Sequence, residues 1–130
     1  MLCEDFNGIS NVTSEINLNR RLRYTRKGQY GTFILSHSDD GSSLLIHING
    51  DIAYLHFFPS TDEKHPGFQA IGIAPPGCTQ AVHFLQIDGS EGSSFDMIPE
   101  ALVPVEKAYQ ASREYFQQDE RPMSISWLEL

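Results

Sequence analysis

Apolar and polar residues alternate most regularly between Ser43 and Phe58. Two apolar runs, Ser43 to Ile48 and Asp51 to Phe58, flank Asn49-Gly50. Asn-Gly between such runs predicts a two-residue hairpin turn, because both central positions take positive φ. That turn would set Ile48 opposite Asp51, Ile46 opposite Ala53 and Leu44 opposite Leu55. Side chains alternate across a sheet, so Leu44, Ile46, Ile48, Ala53, Leu55 and Phe57 share one face, the core face. The other face carries Ser43, Leu45, His47, Ile52, Tyr54, His56 and Phe58. It is too apolar for open solvent, so a helix is expected to cover it or a partner to meet it.

Around this hairpin the pattern predicts further elements. Asn11 to Lys27 reads as a helix with Asn11 or Ser14 as its cap and Ile16, Leu18 and Leu22 as apolar anchors. Tyr30 to His37 is a strand that ends at the turn Ser38-Asp39-Asp40-Gly41. Pro59 to Pro66 is a polar loop, Phe68 to Ile73 a short strand, and Ala74-Pro75-Pro76-Gly77 a turn, since proline cannot sit inside a ladder. Ala81 to Ile87 is another strand, followed by a Gly/Ser-rich acidic loop from Asp88 to Ser94. Pro104 suits the first turn of a helix, where its missing N–H costs nothing. Val105, Ala108, Tyr109, Ser112, Tyr115 and Phe116 then recur at helical spacing, and the helix should end near Gln118. Met123, Ile125 and Trp127 alternate with serines as a half-buried strand with Trp127 as a core anchor. Residues 1–10 give little signal. The sum is a single α+β domain over residues 1–130, a mainly antiparallel sheet of about five or six strands with a C-terminal helix packed on it and an N-terminal helix.

Charge narrows the choice of partners. The formal charge is −8, from 17 acidic and 9 basic residues. Arg20, Arg21, Arg23, Arg26 and Lys27 hold five of those nine bases, which leaves the rest of the chain strongly acidic. Such a surface repels nucleic acid and anionic lipid and attracts basic proteins. The basic cluster has only Tyr24 and Tyr30 as neighbouring aromatics, so a solvated helix face or pairing with the chain's own acids is the expected role. The start, Met1-Leu2-Cys3-Glu4-Asp5-Phe6, lacks a basic stretch followed by an apolar run, and no stretch approaches the roughly 20 apolar residues of a membrane span. Cytoplasmic location is therefore expected. Cys3 and Cys78 form no metal or redox spacing, and the sequence leaves open whether they pair.

The residues point to no catalytic machinery. His47 and His56 share a hairpin face, but in the expected register they lie roughly 13 Å apart, too far for one zinc ion. His37, His65 and His83 stand alone. Cys78 follows a Pro-Pro-Gly turn, and nothing there activates a thiolate. Gly89-Ser90-Glu91-Gly92-Ser93-Ser94 carries an acid and no lysine, which does not suit a phosphate cradle. No metal and no cofactor are expected.

Two stretches taken together resemble a known family. The first is Gly50-Asp51-Ile52-Ala53-Tyr54-Leu55-His56-Phe57-Phe58-Pro59 followed by His65-Pro66-Gly67-Phe68. The second runs from Ile98-Pro99 through the helix ending at Tyr115-Phe116 to Arg121-Pro122-Met123-Ser124-Ile125-Ser126-Trp127. A glycine-led aromatic strand, a C-terminal helix, then Arg-Pro and a strand with Trp is similar to immunity protein family one of bacterial polymorphic toxin systems, over roughly residues 44–128. In that pattern a glycine is expected between the helix and Arg-Pro, and here Gln118-Asp119-Glu120 stands instead. The resemblance implies a non-enzymatic protein that binds and neutralises the effector domain of a cognate toxin, with nucleic-acid-directed enzymes such as nucleases and deaminases among the targets. It transfers no catalytic residues. The acids of the loops, Asp39, Asp40, Asp62, Glu63, Asp88 and Glu91, are the expected contacts for a basic effector domain, with Tyr54, His56 and Phe58 as apolar anchors. The alternative is a small-molecule-binding or enzymatic α+β domain with a pocket near His47 and His56, which a deep pocket and a shifted histidine would favour.

Overall fold

The computed structural model describes residues 1–37, 41–59, 64–72 and 74–130. In chain order the elements are β1 (Leu2–Asp5), β2 (Gly8–Asn11), α1 (Glu15–Tyr24), β3 (Tyr30–Ser36), β4 (Ser43–Asn49), β5 (Ile52–Phe58), β6 (Phe68–Ile71), β7 (Val82–Phe84), β8 (Phe95–Met97), β9 (Val103–Pro104), α2 (Val105–Gln118) and β10 (Ser126–Glu129). The main sheet has eight strands, ordered β10-β6-β5-β4-β3-β1-β2 with β9 beside β5. β7 and β8 form a second, two-stranded sheet. All these pairings are antiparallel. The fold is α+β with a C-terminal helix, as expected, but with more strands than five or six.

Four short elements account for the difference, β1, β2, β8 and the two-residue β9 beside β5. β1 and β2 form a four-residue hairpin in the segment without a clear pattern, and all of β2 is exposed. β8 lies just beyond the Gly/Ser-rich loop. A strand so short and so little buried leaves no periodicity to read.

One face of the sheet is the core. Phe33, Leu35, Leu44, Ile46, Ala53 and Leu55 are fully buried there against Leu18 and Leu22 of α1 and Ala108, Ala111 and Tyr115 of α2. Phe57, Val103, Ala70 and Ile125 extend this core toward β10, where Trp127 packs half-buried against it. The central hairpin departs from the expected turn. Asn49 pairs with Ile52, so the loop is Gly50-Asp51, and Ile48 faces Ala53, Ile46 faces Leu55 and Leu44 faces Phe57. Gly50 has φ 63° while Asn49 and Asp51 have negative φ, which suits a glycine-first hairpin turn rather than one needing two left-handed residues. Asn49 is kept in the ladder by its neighbours. It pairs with Tyr30, its Oδ1 accepts from Gln29 Nε2 at 2.6 Å, and its Nδ2 donates to the His83 carbonyl at 2.8 Å. The register differs from expectation by two residues, and two is one full period. Every side chain therefore keeps its expected face.

The helices are anchored by the sheet's own polar groups. Ser14 caps α1, its hydroxyl accepting from the Asn17 N–H at 3.1 Å. The helix stops at Tyr24, short of Lys27, because Lys27 bridges to Tyr30 around Gly28, whose φ is 63°. Pro104 has no side chain to cap α2, so the Val105 N–H donates to the Asp51 carbonyl at 2.8 Å and joins the hairpin turn to the helix. α2 ends at Gln118, and Asp119 takes the left-handed cap with φ 55° where glycine is usual.

The two faces of β4 should differ sharply in their response to truncation. Ile46 is wholly buried and Leu45, its neighbour, faces outward and is half-exposed. Ile46→Ala is expected to cost about 3–4 kcal/mol and Leu45→Ala about 1 kcal/mol, measured by urea unfolding. Equal losses would contradict this assignment of faces.

Candidate interaction surface

The outer face of the main sheet is divided. Toward the Gly50 end, β7 and β8 lie across it, and Thr32, His47 and Tyr54 beneath them are 2%, 3% and 5% exposed. A small apolar cluster of Tyr54, Phe84, Ala101 and Leu102, with Ile52, Val82, Phe95 and Met97 packed on it, fills this layer. The expected cover for the second face is thus a small sheet and not a helix, and it covers only half. Toward the other end the register runs Ile9, Glu4, Ile34, Leu45, His56, Gln69 and Leu128 straight across seven strands. None of these is fully buried. A parallel row holds Leu2, Ser36, Ser43 and Phe58.

His47 belongs to the covered half. Its ring stacks on Tyr54 at 5.8 Å and meets Phe95 edge-on at 4.9 Å. Its Nδ1–H donates to the Leu85 carbonyl at 3.3 Å, a carbonyl that also accepts from Thr32 Oγ1 at 2.7 Å. Burial pushes its pKa down to about 4, opposed by the Leu85 hydrogen bond and reinforced by nearby His56. The observed register makes His47 and His56 diagonal neighbours, nearer than the expected 13 Å. Aromatic rings occupy the space beside His47. A groove of about 450 Å³ opens elsewhere, lined by Ile71, Pro75, Pro104, Lys107 and Ile125. Among the described residues no three His, Cys, Asp or Glu side chains are grouped to hold a metal ion.

The residues that carry the family resemblance meet in space. His56 Nε2–H donates to the Pro66 carbonyl at 2.8 Å, since a carbonyl can only accept. Its Nδ1 then accepts from the Tyr54 hydroxyl at 2.9 Å, and burial pushes that phenol up to about 12. Gly67 fits under this pair only as glycine. A Cβ there would lie 2.5 Å from His56 Nε2 and 2.7 Å from the Phe57 carbonyl oxygen, at φ 94°. His65 accepts from the Gly67 N–H at 2.8 Å, reaches Glu129 on β10 at 3.0 Å and stacks on Phe68. The Arg121 guanidinium covers Phe68 at 4.1 Å, and Trp127 Nε1 donates to the Pro122 carbonyl at 2.8 Å. These motifs join β5, β6 and β10 and hold the open half of the sheet in shape.

Of the expected contact residues, Asp88 and Glu91 are exposed on the loop between β7 and β8. Hydrogen bonds from the Ser93 hydroxyl and the Ser90 N–H hold Asp88 below the usual carboxylate range. Glu91 and Asp96 flank His83 at 3.4 and 2.7 Å, and the Asp96 hydrogen bond raises the pKa of that imidazole. His56 and Phe58 lie half-exposed on the open face, whereas Tyr54 is buried and supports His56 from below. Asp39, Asp40, Asp62 and Glu63 fall outside the described residues. The basic cluster is largely spent inside the molecule. Arg21 pairs with buried Asp5. Arg26 donates to the Tyr109 hydroxyl at 2.9 Å and to the Gln29 carbonyl at 3.1 Å. Arg23 covers the Tyr109 ring at 4.2 Å, and Lys27 donates to the Gly89 carbonyl at 2.6 Å. Cys3 and Cys78 are both free thiols, and burial pushes Cys3 up to about 11. Among the described residues no helix is long and apolar enough to cross a membrane. The open row itself escaped the sequence reading because its outer strands, β1 and β2, were not foreseen.

The sequence matches no known protein-family model and no curated protein.

His47 gives the fold an acid sensitivity. Its folded pKa lies below its unfolded value of 6.5, so the unfolded chain binds the extra proton as pH falls. The stability that neutral His47 contributes is complete above pH 6.5 and is lost as pH falls toward 4. Between pH 7 and 4.5 the loss is on the order of 2–3 kcal/mol, while exposed His83, shifted upward, acts in the opposite sense. His47→Phe leaves the Leu85 carbonyl its Thr32 partner and should flatten this slope in urea titrations. An unchanged slope would assign the acid sensitivity to other groups. Gly67→Ala should cost about 3 kcal/mol, from the clash and the positive φ together, and a neutral outcome would contradict the packing of His56 described above.

Proposed function

We propose that the protein is an immunity protein that binds and neutralises a cognate toxin effector domain, a nucleic-acid-directed enzyme such as a nuclease or deaminase. The observation that carries this reading is the separation of charge. Eight of the nine basic residues lie on α1, on α2 or just beyond their C-terminal ends, and Arg21, Arg23, Arg26, Lys27 and Arg121 among them make internal contacts. The outer layer carries the acids Glu4, Asp88, Glu91 and Asp96, with Lys27 meeting it at the Gly89 carbonyl. Enzymes that act on nucleic acid present basic active-site surfaces, and an acidic protein reaches such a surface quickly and covers it by occupancy alone.

Three further points support the reading. The residues that resemble immunity protein family one cluster in one structural unit. Histidine 47, the group most shifted from its ordinary pKa, is packed among rings and not poised in a cleft. The outer layer leaves Leu2, Ile9 and Leu128 exposed on the same face as Glu4, a mixture suited to another protein.

Co-expression with the effector domain encoded beside this protein's gene should restore growth to cells that the effector alone kills. With an inactivated effector, the association rate should fall at least about tenfold between 50 and 500 mM NaCl, while Asp88→Lys with Glu91→Lys slows it at low salt. Failure to protect, or association indifferent to salt, would contradict the proposal.

A further inference from the structure

We infer that the open half of the outer sheet face is the docking surface, and that it takes a basic protein domain presenting an apolar ridge bordered by Lys and Arg. The inference rests on the immunity reading and specifies which surface of the molecule serves it.

The case begins with exposure. The covered half of this face is as dry as the core, with Thr32, His47 and Tyr54 at 5% or less. One row further along, apolar side chains stand open to solvent beside Glu4, His56 and Gln69. Ile9 is 66% exposed, Leu128 48% and Leu2 41%, with Ile34, Leu45 and Phe58 half-exposed between them. The row crosses seven strands, roughly 29 Å at ordinary strand spacing, long enough for the centre of a standard protein interface. Scattered apolar residues on a surface mean little, but Leu2, Ile34, Leu45 and Phe58 are set side by side on one face by strand register, flanked by Ile9 and Leu128, and such a group marks a contact site.

Charge decides the occupant. Glu4 sits within the row, and Glu91 and Asp96 lie with the small sheet on the same outer layer. Most of the bases are carried on the far side by the helices, and Lys27 reaches the outer layer at the Gly89 carbonyl beside Asp88. A second copy would bring −8 against −8 across this face. A basic domain would gain attraction from the same charges and cover the stripe.

The test uses the full chain and the purified, inactivated effector domain encoded beside it, at about 150 mM NaCl. Leu2→Lys, Ile9→Lys and Leu128→Lys together put three positive charges on the open rows without touching a buried residue. Ile16→Lys, Tyr24→Lys and Gln110→Lys put the same charge on exposed helix positions. Urea midpoints check that both variants fold. The outer-face variant should bind at least about 100-fold more weakly than wild type, with the helix variant within about fivefold. Equal binding by the two variants, or loss only in the helix variant, overturns the docking face while leaving the immunity reading in place. Loss confined to Asp88→Lys with Glu91→Lys moves the contact to the β7–β8 loop and also overturns it. No binding by wild type overturns the immunity reading and the docking face together.

Discussion

A sheet whose central hairpin is apolar on both faces needs two covers, and this requirement organises the molecule. Along β4 and β5, Ile46 and Leu55 point one way while His47 and Tyr54 point the other. α1 and α2 bury the first face completely. The chain between β6 and α2 returns to lay β7 and β8 across the second, and Leu85 supplies one carbonyl to both Thr32 and His47. That strap reaches only the Gly50 end of the strands. The covered half becomes a second small core, and the uncovered half remains an apolar stripe facing water. Burying a histidine in the covered half has a consequence of its own, because a neutral imidazole held among rings makes stability fall in acid.

The stripe keeps its shape because the edge beside it is tied down. His56 is the centre of that arrangement, accepting from Tyr54 below and donating to Pro66 beside it. Gly67 allows the close approach, and His65, Arg121 and Trp127 fasten β6 and β10 through Glu129, Phe68 and Pro122. A preformed surface loses less conformational freedom on binding than one that must order itself, which suits the proposed role of blocking a partner by occupancy. The helical layer contributes differently. Its arginines are engaged by Asp5, Tyr109 and backbone carbonyls, so the positive charge stays on the side away from the stripe.

Much of the fold was legible in the residues, and the reasons are specific. Period-2 alternation over β3 to β5 and helical spacing from Val105 to Phe116 are long, strong signals. The hairpin turn was misplaced because Asn49 is held in the ladder by Gln29 and His83, contacts distant in sequence, yet the two-residue shift left every face intact. The helix α1 is shorter than its pattern because its end depends on a bridge between Lys27 and Tyr30, and β1, β2, β8 and β9 leave no signal because two to four residues carry no period. The expected glycine after α2 is replaced by Asp119 in the same left-handed conformation. Of the surface, the sequence showed that His56 and Phe58 share a face too apolar for solvent. It did not show that a small sheet would bury Tyr54 and leave those two open, since that division depends on tertiary packing.

The most direct test of the central claim is hydrogen exchange of the protein alone and bound to the effector domain proposed as its partner. The two edge strands flank the open rows and have only one paired side each, so their amides report on anything seated there. Slowed exchange in β2, β10 and the β1–β2 turn, with α1 and α2 unchanged, is the predicted result. Protection confined to the helices, with the edge strands exchanging as in the free protein, would contradict the account.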